Sequence, residues 1–156
     1  MSVYDRLAQW GLELPDLAPT AEFIAVKVVD DRAYVSGHAP FQQGEFQYRG
    51  KVGRELDVAA GRRAAECAVL GCLRSLESAI GSLDAVRGID KVNGYVNCTA
   101  DFEDLPAITD AASEVLVRLF GDPGRHARTT VGVMSLPCGV AVEIELIVRV
   151  EVEHLG

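Results

Sequence analysis

Residues 127–153 read ARTTVGVMSLPCGVAVEIELIVRVEVE. From Val140 onward, Val142, Ile144, Leu146, Val148, Val150 and Val152 share one parity, while Glu143, Glu145, Arg149, Glu151 and Glu153 share the other. A period of two sends alternate side chains to opposite faces, so this segment reads as a long half-buried strand. The run Ala127 to Val133 precedes it across a tight turn at Leu136-Pro137-Cys138-Gly139, which predicts a hairpin. In such a hairpin Arg128 stands opposite Glu143 or nearly so, and Thr129, Val131 and Val133 join the apolar face. An arginine and a carboxylate on one polar face admit two readings. One is a solvated cross-strand ion pair contributing about 0.2–1 kcal/mol. The other is an anion site, in which the guanidinium fork holds a carboxylate and the glutamate handles a water or a proton.

The 156 residues, with 49% hydrophobic side chains, suit one domain over residues 1–156 with an ordinary core. A formal net charge of −8 and scattered basic residues disfavour a nucleic-acid partner, whose phosphates need clustered Lys and Arg. No apolar run approaches the roughly 18 residues of a membrane span, and Met1 to Arg6 lack the order of a signal peptide, so a cytoplasmic protein without a membrane partner is expected. Cys67, Cys72, Cys98 and Cys138 form no Cys-x-x-Cys pair and read as free thiols. His38, His126 and His154 show no metal-ligand spacing, and no phosphate-binding loop is present, so neither a metal nor a cofactor is expected.

Taken in order, residues 2 to 10 predict a short helix within an N-terminal extension, residues 1–20. Ser2 is its N-cap, Val3, Leu7 and Trp10 its stripe, and Gly11 its stop; Trp10 reads as a docking anchor. Phe23 to Val29 and Arg32 to Gly37 predict a strand pair around Asp30-Asp31. Ser36 ends the second strand, where a serine either lines a site or bonds the turn backbone. Residues 41 to 56 read as loop with one candidate short strand at Phe46-Gln47-Tyr48; Lys51 and Arg54 are read as solvated loop charges in preference to the rim of an acidic substrate's pocket. Asp57 to Ile80 predicts the strongest helix, with Gly81 as its stop. Gly88 to Thr99 alternates as a strand, with Asn93, Tyr95 and Asn97 on its polar parity, and Leu105 to Phe120 predicts a second main helix. Two helices on one face of a mixed or antiparallel sheet make an α+β two-layer sandwich. The other face, expected to carry Arg128, Thr130, Glu143 and Glu145, gives the chain an incentive to oligomerise.

The run Arg128-Thr129-Thr130-Val131-Gly132-Val133, then Leu136-Pro137, then Val142-Glu143-Ile144-Glu145, resembles the C-terminal signature of the Rid family, the YjgF-like reactive intermediate deaminases. Val35-Ser36-Gly37-His38-Ala39-Pro40 resembles that family's Ser-Gly-Gln-x-Pro segment, and the resemblance covers roughly residues 20 to 152. It implies a chorismate-mutase-like fold, a homotrimer with a pocket at each subunit interface, and cofactor-free hydrolysis of small imino acids to 2-keto acids and ammonia. It assigns Arg128 to the substrate carboxylate and Glu143 to the attacking water. Ser36 and His38 would line the pocket, with Phe23 and Thr130 where relatives carry tyrosine and cysteine. His38, in place of the family's glutamine, could carry a proton near neutral pH. Loss of that tyrosine and cysteine also suits a non-catalytic binder of a carboxylated metabolite. An endoribonuclease, an activity attributed to some relatives, fits the acidic balance poorly.

Overall fold

The computed structural model describes residues 1–154, so Leu155, Gly156 and the His154 side chain lie outside the described residues. Helix α1 spans Val3–Gln9. The Ser2 hydroxyl accepts from the Asp5 N–H and the Asp5 carboxylate accepts from the Ser2 N–H, a reciprocal cap that satisfies two orphan donors. Val3 and Leu7 enter the main core, and Leu83 N–H donates to Tyr4 Oη at 3.0 Å. Trp10 departs from the expected buried stripe: it is exposed, and the Arg118 guanidinium lies 4.5 Å from its ring centre.

Strands β1 (Val26–Val29) and β2 (Arg32–His38) pair antiparallel around Asp30-Asp31, with Asp30 at φ 52°. Phe23 lies ahead of β1, exposed and off the strand on which it was expected. The short hairpin β3 (Phe41–Gln42) and β4 (Glu45–Phe46) replaces the strand predicted at 46–48. Tyr48 has φ 52°, which extended pairing does not allow. Helix α2 (Val58–Ile80) starts where Asp57 Oδ1 accepts from Ala60 N–H at 2.8 Å and stops at Gly81. Strand β5 (Val86–Asn97), helix α3 (Leu105–Phe120), strand β6 (Ala127–Val133) and strand β7 (Val142–Val150) follow.

The five-stranded sheet runs β1-β2-β7-β5-β6, with β6 parallel to β5 and every other pairing antiparallel. Helices α2 and α3 pack on one face, making the two-layer α+β sandwich. The predicted hairpin of residues 127–153 does not form. Strand β5 lies between its two arms, and residues 134–141 cross the end of β5 instead of turning back. Those residues are stitched to the loop before α2: Gly50 N–H donates to Gly139 O and Ala141 N–H to Tyr48 O, both at 2.8 Å.

The alternation in β7 stands. Val142, Ile144, Leu146, Val148 and Val150 are buried under the helices, and Glu143, Glu145 and Ile147 face away. In β6 the faces are the reverse of those expected. Thr130 Oγ1 lies 2.7 Å from Thr109 Oγ1 on α3, so Arg128 and Thr130 point to the helix side while Thr129 and Val131 share the open face with Lys91. A Cβ on Gly94 would stand 2.4 Å from Thr109 Cγ2, so glycine there lets α3 approach β5 closely enough for this contact. No described helix is long and apolar enough to cross a membrane.

Candidate functional site

The uncovered sheet face collects a polar group from its two central strands. In the β5–β7 register Asn93 pairs with Glu145 and Tyr95 with Glu143. Tyr95 Oη donates to Glu145 Oε1 at 2.6 Å and Asn93 Nδ2 donates to the same oxygen at 3.0 Å. The carboxylate that accepts the phenol proton favours the neutral phenol, and Tyr95 is pushed up to about 12. Glu143 lies beside this group without such donors. Burial first, and the Glu145 charge second, raise its carboxyl above the usual range. Its side chain rests over β2, where a Cβ on Gly37 would stand 2.7 Å from Glu143 Oε1, so the glycine leaves the carboxylate room in this position.

Gly37 belongs to a β-bulge between Val35 and His38, which shifts the parity of the strand. Ser36 lies within the bulge, and its hydroxyl donates to Ile24 O at 2.7 Å. His38 lies after it and points into the helix layer. Its Nδ1 is 2.5 Å from Ser36 O and its Nε2 2.7 Å from Ser75 Oγ. A carbonyl can only accept, so Nδ1 carries the proton and Ser75 donates to Nε2. Both ring nitrogens are thus occupied in a buried neutral imidazole, and burial lowers the pKa of His38. His38 therefore lies in the helix layer and not on the open face with Glu143, with Ser75 Oγ as the neighbour of its Nε2. Phe23 is exposed ahead of β1.

Arg128 stands at the free edge of the sheet. Its Nη1 donates to Asp110 Oδ1 at 2.8 Å and to Ser113 Oγ at 3.0 Å, both on α3. Ser113 also meets His126 Nε2 at 2.8 Å, while His126 Nδ1 is 2.6 Å from Gly124 O. By the same logic Ser113 donates to His126 and accepts from Arg128. One guanidinium nitrogen is therefore held in place, and the Nη2 and Nε donors remain available for an anion. Asp110, Ser113 and His126 carry this orientation; Asp110 and Ser113 do not stand out in the sequence, because the helix that holds them meets the strand of Arg128 only through the fold.

A single copy does not bring Arg128 and Glu143 together. Arg128 registers with Val92 and Glu143 with Tyr95, and they stand on strands either side of β5, on opposite faces. The lateral offset alone is about 10 Å, two strand spacings. Ser36 and Glu143 share the open face; Arg128 and Thr130 share the α3 side. Among the described residues no group of three or more His, Cys, Asp or Glu side chains is placed to hold a metal ion.

The family described as "YjgF/chorismate_mutase-like, putative endoribonuclease" matches residues 4–147, reaching further toward the N-terminus than the motif resemblance and taking in nearly all of α1. Protein TCP17 of Trypanosoma cruzi is 32% identical over 146 residues, 92% of this chain and 91% of that protein. The crystal structure of Atu1372 from Agrobacterium tumefaciens, a protein of unknown function, superposes with a TM-score of 0.90 at 35% identity, covering 96% of this chain and 92% of that one. RidA from the Antarctic bacterium Psychrobacter sp. PAMC 21119 superposes with a TM-score of 0.58 at 26% identity, covering 88% and 96% of the two chains. Motifs, fold and these likenesses agree: the chain belongs to the YjgF/chorismate-mutase-like family, the Rid family.

Proposed function

We propose that this protein is a cofactor-independent imine deaminase acting on small imino acids, with each site completed by a second copy of the chain in a homotrimer. The observation that carries the reading is Glu143. It is a half-buried carboxylate on the uncovered face, raised above its usual range, and among the described residues no cation pairs with it. A structural carboxylate is ordinarily paired or hydrogen-bonded, as Glu145 is. An unpaired one with a raised pKa suits a group that takes a proton from water near neutral pH.

The chemistry asks for three things: a clamp on the substrate carboxylate, a water held about 3 Å from the imine carbon, and a proton acceptor for that water. Arg128 supplies the clamp through the donors that Asp110 and Ser113 leave free. Glu143 supplies the acceptor. Water adds to the imine carbon, the nitrogen gains protons, and the C–N bond breaks to release ammonia and a 2-keto acid. Because the two residues face opposite ways in one copy, the edge of β6 from one copy meets the open face of another. Ser36 and Gly37 border the water position, Thr130 and Phe23 the substrate wall. No step requires a metal or cofactor, since imines hydrolyse readily and positioning supplies the rest. The protein works on a small carboxylated imine, in the cytoplasm.

The test measures ammonia or keto-acid release from imines generated in place by an amino-acid oxidase, using the wild type, Arg128→Ala and Glu143→Gln. The reading expects acceleration by the wild type and a loss of about a hundredfold in Glu143→Gln, the scale of a general base. No acceleration over the uncatalysed rate for small and aromatic imines alike would overturn it.

A further inference from the structure

A cleft of about 580 Å³ opens at the C-terminal ends of β5 and β6, away from the Arg128 and Glu143 side chains. Its walls are Cys98, Phe102, Val133 and Met134, its floor includes Gly132, and Lys51 and Arg54 stand on its rim. The volume suits a small ligand with an apolar body.

Lys51 decides what kind of ligand. Its Nζ donates to Asn97 Oδ1 at 2.7 Å and to the Met134 carbonyl. Asn97 is itself 4% exposed, and its Nδ2 is fixed on Val140 O at 3.2 Å, so the amide oxygen is aimed at the ammonium by a buried support. The Lys51 backbone is fixed as well: its carbonyl accepts from Arg54 N–H and Leu56 N–H, both at 3.1 Å. An ammonium has three donors, and two are taken by neutral oxygens. In a chain with 23 acidic side chains and 15 basic ones, no carboxylate among the described residues pairs with this cation. The fold therefore holds an uncompensated, oriented positive charge with one donor unassigned at the mouth of an apolar cleft. Such a charge is stabilised by an anion from outside.

We infer that this cleft is a binding site for a small monocarboxylate with an aromatic or branched apolar body, held by Lys51 at its carboxylate and by Phe102 and Met134 along its body. Gly132 keeps the floor open, since a Cβ there would come within 3.0 Å of Cys98 Sγ. The site uses neither Arg128 nor Glu143, so it stands or falls apart from the deaminase reading.

The chain has only two methionines, Met1 and Met134, which makes the cleft observable. Protein labelled with ¹³C at the methionine methyls would be titrated with phenylacetate, and in parallel with its neutral counterpart phenylacetamide. The inference expects saturable movement of the Met134 signal with the acid, none of the Met1 signal, and roughly tenfold or greater weakening with the amide and in Lys51→Met. Lys51→Arg should restore part of the affinity, and Arg128→Ala should leave it unchanged. The amide comparison uses the wild-type protein, so it decides even where Lys51→Met does not fold. Equal affinity for acid and amide, no saturable shift, or binding lost in Arg128→Ala would overturn the inference.

Discussion

Under α2 and α3 the sheet is sealed by Ile144, Leu146, Val92 and Val96 against Leu73, Leu76, Ile108 and Leu116, all 2% exposed or less, whereas on the opposite face the same strands present Glu143, Glu145, Asn93, Tyr95 and Lys91. Adjacent residues on β7 thus do different work. The helix-side residues gain stability from apolar area removed from water. The open-side residues hold a carboxylate that the isolated fold leaves without a cation. A surface where burial and a like charge raise a group is poorly explained by stability and well explained by chemistry or by a partner. The difference between the faces is what licenses a functional reading of one of them.

The largest effect that would break the comparison belongs to the sealed face. Ile144→Ala should lower unfolding stability by about 2–5 kcal/mol, read from urea midpoints, because it opens a cavity in a fully buried layer. Its neighbour Glu143→Gln should lower imine hydrolysis about a hundredfold with the fold intact. In the wild type that activity should fall as pH falls through the raised Glu143 pKa, because only the ionised carboxylate accepts a proton.

Two smaller effects concern pH and stability. His38 has a lowered pKa, so the folded state binds its proton less tightly than the unfolded state does. The stability it contributes is present above the unfolded value, about 6.5, and is lost as pH falls from there through the folded value. Urea midpoints should decline over that window, and the decline should be smaller in His38→Gln. Glu143 has the opposite sign. Its folded pKa is raised, so its ionisation weakens the fold as pH climbs from about 4.3 through the folded value, with a constant penalty beyond. Glu143→Gln should therefore be more stable than the wild type at neutral pH, by less than about 1 kcal/mol after solvent screening, with the advantage vanishing in acid.

Much of this fold is legible in the residues. The parity of β7, the Asp57 cap, the Gly81 stop and the bounds of α3 are set by local periodicity and local hydrogen bonds. What does not show is what depends on the neighbouring strand. Periodicity in 127–133 separates two faces but does not say which one the helices cover; the Thr109–Thr130 contact and the small Gly94 settle that in the fold. The tight turn signal at 136–139 is real, yet it serves a crossover past β5 instead of a hairpin. The bulge at Ser36-Gly37 reverses parity for His38, and no spacing rule announces it. Within the candidate site, Glu143 and Ser36 lie on the open face as their strands suggest. Asp110 and Ser113 become visible only once α3 lies against β6. Lys51 reads as a solvated loop charge until Asn97 is seen beneath it.

The central claim is that Arg128 of one copy works with Glu143 of another, and subunit mixing tests it most directly. Arg128→Ala and Glu143→Gln, each strongly impaired alone, would be co-refolded in equal amounts and assayed for imine hydrolysis. If the two residues come from different copies, about one quarter of the sites in a random cyclic assembly regain both, and activity returns to that share of the wild type. A mixture as inactive as its parents, with mixed assemblies shown by native mass spectrometry, would contradict the claim and place both residues in sites belonging to one chain.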